Sequence, residues 1–206
     1  MATSSKPALA SLSLRDLCRS LSERTPTPSG GSLAAGLGAL GAGGVSMTLR
    51  YSSGEGQAWQ EGRAKELDTL SERLCDLVER DAGVYDKVAR AKELPAGDER
   101  DRALDKAYRG ALETPIEIME ACLGGLRIAA AGAPQGVPDY LSVDCLAGAQ
   151  ALEAGLGCAL LMVRENSTFV DDDAFTGEIL AAADVMSQEA LALVAAVRAD
   201  VEGRRA

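Results

Sequence analysis

The sequence predicts an all-α fold, a compact bundle of about six helices, and two observations carry that prediction. Hydrophobic residues make up 47% of the 206-residue chain and aromatics only 3%, so Ala, Gly and Leu supply the apolar mass. Such small side chains suit closely packed helices better than sheets of β-branched residues. Apolar residues also recur at helical spacing through most of the chain, and no strand pattern competes with them.

Residues 12–24 place Leu12, Leu14, Leu17 and Leu21 near one face, with Ser11 or Ser13 available as a cap. This helix stops before Thr25-Pro26-Thr27-Pro28, where two prolines hold the backbone extended. Ser29-Gly30-Gly31 then allows a sharp turn before Ser32, the expected cap of the next helix. From Leu33 to Tyr51 the chain is rich in Ala and Gly, and each glycine costs about 1 kcal/mol of intrinsic helix stability relative to Ala. Close packing against neighbours must compensate, within the subunit or across the interface of a homodimer. Residues 57–93 form a long amphipathic helix ending at Leu94-Pro95-Ala96-Gly97. Asp98 is expected to cap a second long helix, through Ala131, that Pro115 kinks. The loop GAPQGVPDY closes that hairpin. Residues 140–165 form a helix rich in Ala, Gly and Leu, and Asp171, Asp172 and Asp173 precede a final amphipathic helix from Ala174 to Val201. One domain over residues 1–206 can bury a sufficient core without disulfides or a structural metal.

Lys and Arg total 21 against 31 Asp and Glu, a net charge of −10, so nucleic acid and anionic membranes are not expected as partners. A small anionic ligand stays admissible, because solvent screens the global charge and a local arginine can outweigh it. Cys18, Cys75, Cys122, Cys145 and Cys158 show no metal-ligand or CxxC spacing, which points to a reducing cytoplasm. The first residues lack the basic and apolar regions of a signal peptide. The stretch at residues 33–51 has the length of a membrane span but few large apolar side chains, so no membrane partner is expected. The chain has no histidine, so proton transfer falls to Asp, Glu, Lys, Cys, Tyr or water.

The segment TPTPSGGS can make a turn whose amides and adjoining helix start receive an anion or a carbonyl oxygen, and the same residues serve equally as a tight interhelical connection. Asp81 and Tyr85 are four residues apart on one helix and share a face, where a carboxylate and a phenol can meet one ligand. Asp171 to Asp173 read as a charged helix start, and no metal site is expected.

Together with the glycine-rich helix it opens, this segment, TPTPSGGSLAAGLGALGAGGVSM, resembles the T-P-x-P-G-G-G-S signature that starts a small-residue helix in the methenyltetrahydrofolate cyclohydrolase and formimidoyltetrahydrofolate cyclodeaminase family. The resemblance continues through Asp81 to Tyr85, the Leu94-Pro95 break, Thr114-Pro115 and the segment SVDCLAGAQALEAGLGCALLMVREN, and so covers nearly the whole chain. It implies the fold of the formimidoyltransferase-cyclodeaminase C-terminal domain and a homodimer. It also implies a folate-dependent enzyme that hydrolyses 5,10-methenyltetrahydrofolate or deaminates 5-formimidoyltetrahydrofolate, with the tetrahydrofolate derivative as substrate and no further cofactor. Asp144 falls on the family's favoured acid or base; Pro28, Ser29, Gly30, Gly31, Ser32, Arg50, Asp81, Tyr85 and Asn166 fall on positions expected to hold substrate.

The chain departs from the family pattern at three places. Val143 stands where the family has a serine, which lies instead at Ser142. The family's lysine cluster is absent after the glycine-rich helix, where Arg50 supplies charge but not the proton transfer of a lysine. Met162 occupies the first position of an asparagine pair whose second member is Asn166. These departures leave open a diverged cyclase or hydrolase acting on another amidine-type substrate, and a noncatalytic ligand-binding or assembly protein that keeps only the fold.

Overall fold

The computed structural model describes residues 8–52, 56–133 and 136–205. Six α-helices carry these residues: α1 (Leu14–Ser22), α2 (Gly30–Arg50), α3 (Gln57–Lys92), α4 (Asp98–Gly132), α5 (Ser142–Ser167) and α6 (Asp173–Gly203), with short 3-10 turns at Leu9–Ser11 and Asp139–Leu141. Among the described residues there is no strand. The expected all-α bundle of six helices is the observed one.

The helix ends follow local chemistry in two places. Ser13 caps α1 by accepting the Asp16 amide at 3.2 Å, and Asp172 caps α6 by accepting the Phe175 amide at 3.0 Å. At α2 the expectation fails. The helix starts at Gly30, three residues earlier than periodicity suggests, and its N-cap residue Ser29 makes no side-chain cap bond within the helix. Nor is Asp98 a cap: α4 starts on it, after Gly97 at φ 145°, a conformation that favours glycine. The helix also runs on through the buried Pro115.

The core is built around α2 and α5, which run antiparallel and touch backbone to backbone. A Cβ on Gly41 would stand 2.7 Å from the Gly148 carbonyl oxygen, and one on Gly155 would stand 2.8 Å from the Ala34 oxygen. Only glycine fits there, so the helix propensity that glycine loses is offset by dispersion contacts unavailable to larger residues. Helix α3 packs antiparallel on the other side of α2. Beneath the α2–α5 pair lies α4, whose Cys122 meets Gly38 and whose Gly125 meets Leu152. Helix α6 lines α4 and α5. Ala42, Val45, Leu67, Leu74, Met119, Leu126, Leu152 and Leu156 form the sealed centre.

Three helices, α2, α5 and α6, are long and apolar enough to cross a bilayer by length and composition, where the sequence pointed only to residues 33–51. Alanine raises the apolar average without adding bulk. In this fold α2 turns most of that surface on its neighbours, α5 a little under half, and α6 turns most of it outward.

Candidate active site

The α2–α5 pair has two unlike ends. At one end the turn after α1, the last turns of α3, the third and fourth turns of α4 and the end of α5 enclose a cavity of about 250 Å³. Its wall includes Pro26, Ser29, Asp81, Tyr85, Lys92, Tyr108, Met162, Asn166 and Phe169. Four of the residues expected to hold substrate, Ser29, Asp81, Tyr85 and Asn166, therefore meet in one place, drawn from three separate segments.

Asp81 organises this end. Its Oδ2 accepts the Ser29 hydroxyl at 2.8 Å and the Ser32 amide at 2.7 Å, and lies 2.9 Å from the Ser32 hydroxyl. A carboxylate from α3 thus performs the capping that sequence assigned to Ser32, and it sits where the positive end of the α2 dipole favours negative charge. Ser32 Oγ also lies 3.2 Å from the Val78 carbonyl oxygen. Gly31 is fixed by the same contact, because a Cβ there would stand 2.0 Å from Asp81 Oδ1. Both Gly31 and Ser32 are buried and neither lines the cavity. The expected anion site at this helix start is already filled by a residue of the chain itself.

Gly30 backs onto the Met162 thioether, 3.0 Å from where its Cβ would be, and in the turn Pro26 rather than Pro28 lines the cavity. Tyr108 and Phe169 stack with ring centroids 4.9 Å apart and planes 14° apart, giving one wall a flat aromatic surface. Lys92 and Tyr85 stand exposed on the α3 side. Lys92 was legible: Asp81, Tyr85, Val88 and Lys92 keep a 4-3-4 spacing on one helix face. No local signal marks Tyr108 or Phe169, which come from other parts of the chain.

The remaining expectations lie elsewhere. Asp144 is exposed in the first turn of α5 and Asn166 stands in its last, so about 33 Å of helix separates them. Ser142 Oγ donates to the Asp139 carbonyl at 2.7 Å, so it does not orient Asp144. Arg50 ends α2, about 27 Å from Ser32, and is already engaged. Its Nη2 contacts Asp68 at 2.5 Å and its Nη1 contacts the Ser46 hydroxyl. The hydrogen bonds from Arg50 and then Ser46 hold the Asp68 carboxyl below its usual range.

This second end is closed. Arg204 donates to the carbonyls of Val137, at 2.6 Å, and Ala133, and pairs with Asp200 at 2.8 Å and Asp139 at 3.1 Å. Ser52 Oγ donates to the Gly136 carbonyl at 2.8 Å. Gln60 is fully buried, its amide nitrogen 3.3 Å from the Gly132 oxygen and its Oε1 without a described partner. A further groove between α1 and α2, about 360 Å³, is walled almost wholly by Leu, Ala, Gly and Cys and offers little to orient a polar ligand. Among the described residues no three His, Cys, Asp or Glu side chains converge as a metal site requires.

The fold defines an all-helical domain with polar side chains gathered at a cavity between its longest helices. The chain belongs to the formiminotransferase-cyclodeaminase family, whose model matches residues 13–185. It is 29% identical over 183 residues to a methenyltetrahydrofolate cyclohydrolase of Methylorubrum extorquens, covering 84% of this chain and 88% of that one. It is 30% identical over 208 residues to the formimidoyltransferase-cyclodeaminase of Mus musculus, covering 96% of this chain but 38% of that one. The Dictyostelium discoideum formimidoyltransferase-cyclodeaminase is likewise longer, the chain spanning 28% of its length. The crystal structure of formiminotetrahydrofolate cyclodeaminase from Thermotoga maritima superposes with a TM-score of 0.86 over 94% of this chain and 97% of that one, at 21% identity, and shares the fold.

Proposed function

We propose that this chain is a single-domain, folate-dependent one-carbon enzyme that adds water to 5,10-methenyltetrahydrofolate or expels ammonia from 5-formimidoyltetrahydrofolate. One observation carries the reading: in a chain of this family, Ser29, Asp81, Tyr85 and Asn166 converge on one cavity beside an aromatic stack. The flat wall suits a planar ring, and the polar groups suit the nitrogens of an amidine. Neither reaction changes an oxidation state, so neither calls for a redox cofactor. The free cysteines suit a reducing cytoplasm.

The proton-transfer group of this reading is Asp144, and a homodimer brings it to the cavity. Leu33, Leu40 and Met47 on α2 are 42%, 63% and 39% exposed, and Val143 and Leu161 on α5 are 41% and 58% exposed, at spacings that keep each set on one face of its helix. An antiparallel two-fold pairing of this uncharged face sets the Asp144 end of one protomer against the turn at residues 26–32 of its partner. Asp144 would then deprotonate the attacking water, or protonate the departing ammonia. A second reading, another amidine-type substrate, is favoured by the Arg50–Asp68 pair, which cancels the charge that the family's lysines carry.

The purified protein, mixed with each folate, tests this directly, because hydrolysis consumes the methenyl chromophore and cyclodeamination creates it with release of ammonia. No change above the uncatalysed rate with both substrates would end the folate reading. Asp144→Asn should retain melting temperature and slow turnover about 100-fold or more, and Leu40→Glu should give a monomer by light scattering.

A further inference from the structure

Asn166 is the only asparagine in the chain, and its position is tied to a proline 51 residues earlier. Pro115 stands inside α4 and has no N–H, so the carbonyl four residues before it, that of Ala111, loses its helical donor. Asn166 fills that vacancy from α5: its side-chain nitrogen donates to the Ala111 oxygen at 2.9 Å. Because the partner is a carbonyl, the contacting atom must be the NH2 group, which settles the orientation of the amide. The oxygen Oδ1 is then left over. No described residue donates to it, it is not among the sealed unpaired atoms, and both Asn166 and Ala111 line the cavity.

We propose that Pro115 and Asn166 form a clamp that presents Asn166 Oδ1 to the cavity as a fixed hydrogen-bond acceptor, selecting ligands that bring an N–H donor, as an amidine or an aminopyrimidine ring does. The selection of ligand rests on the folate reading; the clamp does not. A freely rotating amide could offer either its donor or its acceptor and would discriminate little. A clamped one rejects a ligand that presents a bare oxygen, because two acceptors would then face each other.

Selective 15N-asparagine labelling gives one side-chain NH2 pair in the NMR spectrum. One of its protons should exchange slowly in the wild-type protein. Pro115→Ala restores a backbone donor to the Ala111 carbonyl without threatening the helix, so both protons should then exchange freely. Fast exchange of both protons in the wild type, or undiminished protection in Pro115→Ala, overturns the clamp. Thermal unfolding gives an independent check: Asn166→Leu should lower Tm in the wild-type background and much less in Pro115→Ala, and equal losses in the two backgrounds would again overturn it. With 5-formyltetrahydrofolate as probe, Asn166→Leu in the Pro115→Ala background should raise Kd about tenfold, the scale of one hydrogen bond, and an unchanged Kd rejects the acceptor role. If wild-type protein binds no folate, the folate reading fails, while exchange and Tm still decide the clamp.

Discussion

The two ends of the α2–α5 pair are made from the same helices and differ in how their polar groups are spent. At the closed end Arg204 bonds Ala133, Val137 and Asp139, and Arg50 is matched by Asp68. At the open end Asp81 closes the α2 start, yet Tyr85, Lys92 and the Asn166 oxygen face a cavity. Glycine-lined contact in the middle fixes both ends rigidly, and only unspent polar groups distinguish a site from a seam.

Breaking the closed end should cost the most stability and no binding. The Arg204 side chain is only 16% exposed, so Arg204→Met leaves Asp200 without its ion partner and two carbonyls without their donor. Urea unfolding should show a loss of about 3 kcal/mol, with the affinity for 5-formyltetrahydrofolate unchanged. At the open end Asp81→Ala should cost about 2 kcal/mol, through the lost cap and the unpaired Ser32 amide, and should weaken ligand binding as well. Gly31→Ala should cost about 1–3 kcal/mol by overpacking against that carboxylate. In an Asp81→Ala background the same change should cost far less, and additivity of the two losses would contradict the contact.

Smaller effects come from titration. Burial pushes Cys122 up to about 12 and raises Cys145 near the closed end, so the native protein should be alkylated first at the exposed Cys18 and at these two only on unfolding. The Asp172 carboxyl is held below its usual range by the Phe175 amide and then by Arg109, and Asp68 by Arg50 and Ser46. Their folded-state values lie below the unfolded ones, so their contribution is complete above the ordinary carboxylate range and is lost as pH falls through the lowered values. Thermal melts should therefore show Tm dropping on the acid side, less steeply in Asp172→Asn.

Legibility in the sequence divides along the same line. Local signals placed the helices and narrowed the caps to Ser11 or Ser13 and to the run Asp171 to Asp173, because the caps the structure selects, Ser13 and Asp172, each bond within three residues of themselves. The turn at residues 25–32 was conspicuous, but its capping group arrives from Asp81, 49 residues beyond Ser32, so sequence assigned the wrong donor–acceptor pair. Arg50 looked available because its partner Asp68 lies across the α2–α3 connection. Asn166 was found by resemblance, but its orientation depends on a carbonyl freed by Pro115 on another helix. Tyr108 and Phe169 had no period or motif to mark them; only packing brings them together.

A crystal structure of the complex with 5-formyltetrahydrofolate would decide which end of the helix pair is the site. The ligand should lie in the cavity at the open end, its ring system against the Tyr108–Phe169 wall and an N–H donated to Asn166 Oδ1, with the partner's Asp144 approaching from the paired face. A ligand bound beside Arg50 and Asp144 of a single protomer, clear of Tyr85 and Asn166, would contradict that assignment.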